Sequence, residues 1–167
     1  MPGQRKANII ESLLLFHIGT RLEAERRLFM DIVPVTTRHL VKNADLNHHG
    51  TLFAGRMAEW FVETGLMAAA AFIPVENIVC LNIHNMVFKK PVQLGEIVKF
   101  TGKIVLAGRT SLIANICMRV GDTEIVNGFI TYVNVGKNGR PIPHNVVIEA
   151  TREEDIALQE QAKKLHR

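Results

Sequence analysis

The sequence predicts an α+β domain in which an antiparallel sheet covers one long helix, and three observations carry that prediction. Residues 53–72 contain no proline, are dense in alanine, and place apolar residues at 54, 57, 58, 61, 62, 65, 66 and 69. That spacing covers well over one helical face, so the helix is long and largely buried. Four segments rich in Val, Ile, Thr and Phe follow, at 77–88, 96–106, 110–120 and 124–135. Their connections carry turn residues: Pro91 to Gly95, Ala107-Gly108, Gly121-Asp122 and Lys137-Asn138-Gly139. Connections this short suit hairpins rather than helical crossovers, which gives an antiparallel meander.

The remaining elements follow in chain order. Residues 7–28 carry Ile9, Ile10, Leu13, Leu14 and Ile18 at intervals of three and four, an amphipathic helix that Gly19 breaks or bends. An N-terminal helical extension over 1–28 is thus expected ahead of a main domain over 29–148. Met30, Ile32, Val33 and Val35 set against Asp31, Thr36 and Thr37 read as a first strand, and Pro34 confines it to an edge. Polar residues 43–51 form a loop. Thr151 and Glu154 make a Thr-x-x-Glu capping box opening the charged segment 149–167, expected to be a solvated C-terminal helix without functional content.

Composition narrows the class. With 167 residues and 47% apolar side chains, the chain suits one folded domain and not a disordered one. Cys80 and Cys117 each lie in an apolar run with no C-x-x-C pair, which reads as two buried thiols in a reducing, cytoplasmic setting and argues against a metal. The run from Ile9 to Ile18 is interrupted by Glu11 and followed by no small-residue cleavage site, so neither secretion nor stable membrane insertion is expected. A net charge of +4 favours an anionic partner, yet the basic residues are scattered and aromatics reach only 6%, which argues against nucleic acid.

Three blocks carry a family resemblance. In residues 46–71, LNHHGTLFAGRMAEWFVETGLMAAAA, the residues Asn47, Gly50, Phe53, Ala54 and Gly55 match N-x-x-G-x-x-F-G-G, the helix-opening motif of hot-dog acyl-CoA thioesterases. In residues 86–112, Phe88, Pro91, Gly95, Glu96 and Val98 are similar to that family's F-x-x-P-x-x-x-G-(D/E)-x-V strand, and Gly108, Thr110 and Ser111 to the turn after it. Residues 130–141, ITYVNVGKNGRP, resemble its closing strand and turn. Three blocks in family order are more specific than any one.

The resemblance, spanning about residues 29–143, implies a hot-dog fold: an antiparallel sheet wrapped around a long central helix, here with extra N- and C-terminal helices. It further implies a homodimer or higher homo-oligomer with sheets joined edge to edge and sites at the subunit interface. The implied reaction is hydrolysis of a fatty acyl-CoA to free acid and coenzyme A. No cofactor is implied beyond the coenzyme A of the substrate.

Thioester hydrolysis needs polarisation of a carbonyl and an activated water. The amide of Gly55, at the helix start, suits the first; its alternative is a glycine required only for packing. Seven residues beyond Gly55, where the family carries an aspartate, stands Val62. Glu63 is the nearest carboxylate, although Arg56, Glu59 and Glu63 also read as a salt-bridged helix edge. Asn47 and His48 are candidates to orient or activate water, or else turn residues. The expected catalytic set is therefore Asn47, His48, Gly55 and Glu63, with His49, Arg56, Asn85, Lys89, Lys90, Arg109, Thr110 and Ser111 expected to hold coenzyme A. Val62 also opens a second reading, a hot-dog domain without hydrolysis that binds acyl-CoA or acyl-carrier protein as a sensor or scaffold. A dehydratase pairing a loop histidine with Glu63 ranks below both.

Overall fold

A computed structural model describes residues 28–84 and 86–165. The expected N-terminal helix over 7–28 lies outside the described residues, apart from Leu28. The elements in chain order are β1 (Leu28–Asp31), β2 (Val35–Leu40), α1 (Ala54–Ala70), β3 (Ile78–His84), β4 (Ile97–Ala107), β5 (Ser111–Val120), β6 (Thr123–Asn134), β7 (Val146–Glu149) and α2 (Glu153–Leu165). Four strands and α1 start and end within a few residues of their expected bounds. The expected first strand is instead two: it stops at Asp31 and restarts at Val35, with Pro34, which has no N–H to give a ladder, in the gap.

The sheet differs from a simple meander. Its order is β2-β4-β5-β6-β3, all antiparallel. Only β4, β5 and β6 follow one another as hairpins, while β3 crosses over to pair with β6 and has no strand on its other edge among the described residues. That edge is apolar: Val79, Leu81 and Ile83 are exposed, Leu81 by 68%. β1 pairs in parallel with β7, a strand that the sequence pattern did not mark.

Alternation explains the core. Phe100, Ile104, Leu112, Ala114, Ile116, Met118, Ile130 and Tyr132 point from the sheet toward α1, which answers with Met57, Trp60, Phe61, Ala68 and Ala69. Two close approaches set how deep α1 sits. A β-carbon on Gly65 would lie 2.5 Å from the Tyr132 hydroxyl, and one on Gly102 would lie 3.1 Å from the Thr64 carbonyl oxygen. The Tyr132 hydroxyl donates to the Val62 carbonyl oxygen at 2.7 Å, and Thr64 bonds Thr37 across to β2 at 2.9 Å.

The C-terminal helix is not simply solvated. α2 docks on the outer sheet face, where Ala162 joins Val105, Ile113 and Phe129 in a second apolar cluster. Gln159 donates to the carbonyls of Val105 and Ile148, and Lys103 pairs with Asp155 at 2.9 Å. Asp155 is almost fully buried; burial alone would raise its pKa, but hydrogen bonds from Lys103 and Arg152 hold it below the ordinary value. The expectation of two buried thiols also needs correction: Cys80 is exposed on the open β3 edge and Cys117 is half-buried.

Two outcomes test this packing. Gly65→Ala should cost ~1–3 kcal/mol through overpacking against Tyr132, read as a lower urea midpoint with an unchanged slope. In the loop before β7, the Val146 N–H donates to His144 Nδ1 while Nε2 donates to the Ser111 carbonyl, an arrangement that requires a neutral ring. Burial lowers the His144 pKa, against a weaker opposing pull from the Ser111 bond. The unfolded chain therefore takes up this proton first as pH falls. Its contribution is complete above about pH 6.5 and declines below it. Urea titrations at about pH 7.5 and pH 5.5 should show less loss of stability in His144→Gln than in the parent chain.

Candidate active site

Asn47 to Gly50 make a tight turn closed by the Gly50 N–H on the Asn47 carbonyl at 3.0 Å, with Gly50 at a φ of 75°. Such a φ suits glycine, which explains the spacing of Asn47 and Gly50 in the motif. The Asn47 side chain holds the rest of the turn: its Oδ1 accepts the His49 N–H at 2.8 Å and the Thr51 N–H at 3.3 Å, and its Nδ2 lies 3.1 Å from Thr51 Oγ1. His48 and His49 are exposed, with ring centroids 3.9 Å apart.

The chain then enters α1 with Phe53 as N-cap and no capping side chain. The first helical bond runs from the Met57 N–H to the Phe53 carbonyl at 3.1 Å, so the amides of Ala54, Gly55 and Arg56 precede the intrahelical ladder. No acidic residue sits in this first turn. Donors without helical partners at the positive end of a helix suit a developing oxyanion. Gly55 is exposed, and the Phe53 ring rests where a β-carbon on Gly55 would be.

One residue here escaped the sequence reading. Asp45 is buried, and its carboxylate accepts the Lys42 N–H at 2.9 Å and faces Arg56 Nε at 3.3 Å. Its carbonyl oxygen accepts the Phe53 N–H at 2.8 Å. Asp45 thus ties the loop to the helix start through backbone and side chain together. Within a polar loop it looked like any turn residue, and only its place three residues after Lys42 marked it.

The expected site residues fall into separate groups in one protomer. Asn47, Lys89 and Lys90 line a cavity of about 250 Å³ with Ala54, Met57 and Phe88. Gly55 and Arg56 line a neighbouring cavity of about 260 Å³ with Asp45 and Glu59. Lys89 is held in an ion pair with Glu124, whose pKa that bond lowers. Arg109, Thr110 and Ser111 lie at the far end of the sheet, where the β4–β5 turn meets the loop before β7. Asn85 lies outside the described residues. His84 is satisfied by Thr131 at 2.9 Å and Asn82 at 3.3 Å.

Comparison with known proteins fits this geometry. Residues 49–126 match the profile of the Thioesterase superfamily. A crystal structure of a hexameric acyl-CoA thioesterase is 25% identical, covering 78% of this chain and 86% of that one with a TM-score of 0.72. Over residues 49–126 the chain is similar to the thioesterase superfamily, and its fold is the hot-dog fold of these solved thioesterases. An uncharacterized acyl-CoA thioester hydrolase of Bacillus subtilis is 25% identical over 116 residues, 66% of this chain and 67% of the relative. An acyl-CoA hydrolase of Staphylococcus aureus, solved with butyryl coenzyme A and coenzyme A, superposes with a TM-score of 0.74 at 19% identity, covering 83% of this chain and 85% of that one.

Given that similarity, the placement of the helix carboxylates matters most. Arg56 pairs with Glu59 at 2.6 Å and with Asp45, not with Glu63. Glu63 is exposed about two turns beyond Gly55 and lines neither the Asn47 nor the Gly55 cavity. The structure does not bring Glu63 to the other expected catalytic residues of its own chain. Among the described residues no group of three His, Cys, Asp or Glu side chains is placed to hold a metal ion.

Asp45→Ala is expected to cost ~1–3 kcal/mol, because it orphans the Lys42 amide and leaves Arg56 with one carboxylate fewer. Asp45→Asn, which keeps an acceptor, should lose less. Amide exchange at Phe53 should quicken in the alanine variant; an unchanged rate and urea midpoint would show that Asp45 does not hold this junction.

Proposed function

We propose that the protein is an acyl-CoA thioesterase, hydrolysing an acyl-CoA to a carboxylate and coenzyme A. The observation that carries this reading is the uncapped first turn of α1 at Gly55, beside the Asn47 turn, in a thioesterase-superfamily fold. The thioester oxygen accepts from the Gly55 amide, and water held by the Asn47 carboxamide attacks the carbonyl carbon. The attacking water gives one proton to His48 or solvent, and the tetrahedral intermediate then expels the thiolate, which takes that proton up as the thiol and leaves the acid to ionise.

A second copy completes the site in this reading. The open β3 edge presents unpaired backbone groups and apolar side chains, the features of an edge awaiting a partner. The Ile78 end of β3 lies beside the β4–β5 turn, and the His84 end lies toward Lys89 and the Asn47 cavity. Antiparallel pairing of two β3 strands therefore sets the Arg109–Ser111 turn of one copy near the Asn47 cavity of the other. The hexameric thioesterase relative supports a homo-oligomer. No helix among the described residues is long and apolar enough to cross a membrane.

Val62 favours the second reading, a domain that binds acyl-CoA without turning it over, because valine supplies no base. Thiol release measured across short, medium and long acyl-CoAs separates the two. Turnover is expected, with kcat falling at least about tenfold in Asn47→Ala and rising in Val62→Asp. Glu63→Ala should stay within about twofold of the parent. Tight binding of every acyl-CoA without thiol release would leave only the binding reading.

A further inference from the structure

A cavity larger than the one that holds Asn47 lies elsewhere at the helix start. It measures about 580 Å³ and lies on the β2 side of α1, lined by Arg38, His39, Lys42, Asp45, Arg56 and Trp60, among others. It shares Ala44, Asp45 and Arg56 with the smaller cavity containing Gly55, so the two adjoin at the helix start.

Two features of this cavity point to one ligand chemistry. The first is an aromatic platform. The His39 and Trp60 rings are stacked, 4.3 Å between centroids and 8° from parallel, and Phe100 braces both edge-on. Trp60 is buried to 8% exposure, whereas His39 stands half-buried at the cavity wall. Burial lowers the His39 pKa despite the opposing charges of Glu63 and Asp45, so the ring is a neutral, flat face at neutral pH.

The second feature is charge. Arg56 is already engaged by Asp45 and Glu59. Arg38 and Lys42 are exposed and form no ion pair among the described residues. An uncompensated guanidinium and ammonium beside a stacking face match a planar base carrying phosphates.

We propose that this cavity binds a phosphorylated adenosine, with the base stacked on His39 over Trp60 and the phosphates on Arg38 and Lys42. The adenosine end of coenzyme A is the source that fits a cavity adjoining the one at Gly55, and that source alone rests on the thioesterase reading. A free adenine nucleotide has the same chemistry. Either assignment differs from one in which Lys90 or Arg109 holds the phosphates.

Trp60 is the only tryptophan in the chain, so its fluorescence reports on this cavity directly. The probe is adenosine 3′,5′-bisphosphate, titrated without any thioester present so that turnover plays no part. Saturable quenching is expected, weakened at least about tenfold in the Arg38→Ala/Lys42→Ala double variant. His39→Leu should weaken the bisphosphate but leave the weak competition by inorganic pyrophosphate unchanged. Lys90→Ala, Arg109→Ala and the remote Lys137→Ala should leave the titration as in the parent.

An acyl-CoA hydrolysis assay then identifies the source. Competitive inhibition by the bisphosphate, with KM raised and kcat kept in the double variant, places the adenosine of coenzyme A here. Inhibition or activation that acyl-CoA does not relieve places a separate nucleotide here. Affinity that falls in Lys90→Ala or Arg109→Ala but survives in the double variant overturns the proposal, as does the absence of any titration in a folded parent protein.

Discussion

The depth at which α1 sits in the sheet governs nearly everything else in this molecule. Where helix and sheet cross there is no room for a side chain at Gly65 and little at Gly102, and the Tyr132 hydroxyl reaches the helix backbone itself. A helix held at this distance carries its N-terminus to a fixed place relative to the strands. That place is where the Asn47 turn, the Asp45 clamp and the segment from Phe88 to Pro91 converge. The free amides at Gly55 are thus positioned by contacts two to three turns further along the helix. A scaffold of this kind presents hydrogen-bond donors that need not reorganise when charge develops in front of them.

The same packing divides the helix start into two sides. On the β3 side lie Asn47, Lys89 and Lys90, close to an apolar edge that only another strand would satisfy. On the β2 side lie the stacked His39 and Trp60 with two cations that form no ion pair among the described residues. One side thus joins two lysines to an apolar edge, and the other joins a stacked aromatic pair to cations. Arg56 stands between the two, neutralised by Asp45 and Glu59.

Local pattern made α1 and four strands legible, because period and turn residues are properties of short windows. The Gly50 turn was legible for the same reason. Pairing was not: that β3 crosses to β6, and that β7 runs parallel to β1, depends on which distant edges meet. The docking of α2 was hidden likewise, since Lys103 and Val105 are far from the helix in sequence and its charged residues read as solvated. His39 was missed because the first strand was ended at Thr37. Extending the same alternation by two residues puts Val35, Thr37 and His39 on one face.

Helix geometry finally bears on the missing acid. Successive residues turn by about 100°, so Glu63 cannot replace Val62 without rotating α1, which would break the fit at Gly65 and the Tyr132 bond to the helix backbone. Val62 is half-buried, and its carbonyl is fixed by Tyr132. Glu63 points instead toward the β2 side, where its charge is felt by His39. If the proposed hydrolysis takes place at Gly55, its water is oriented by groups on the loop or by a second copy, with no carboxylate from the central turn of this helix. Such a site would keep carbonyl polarisation and lose most general-base assistance, giving slow hydrolysis by a pocket that still binds its substrate well.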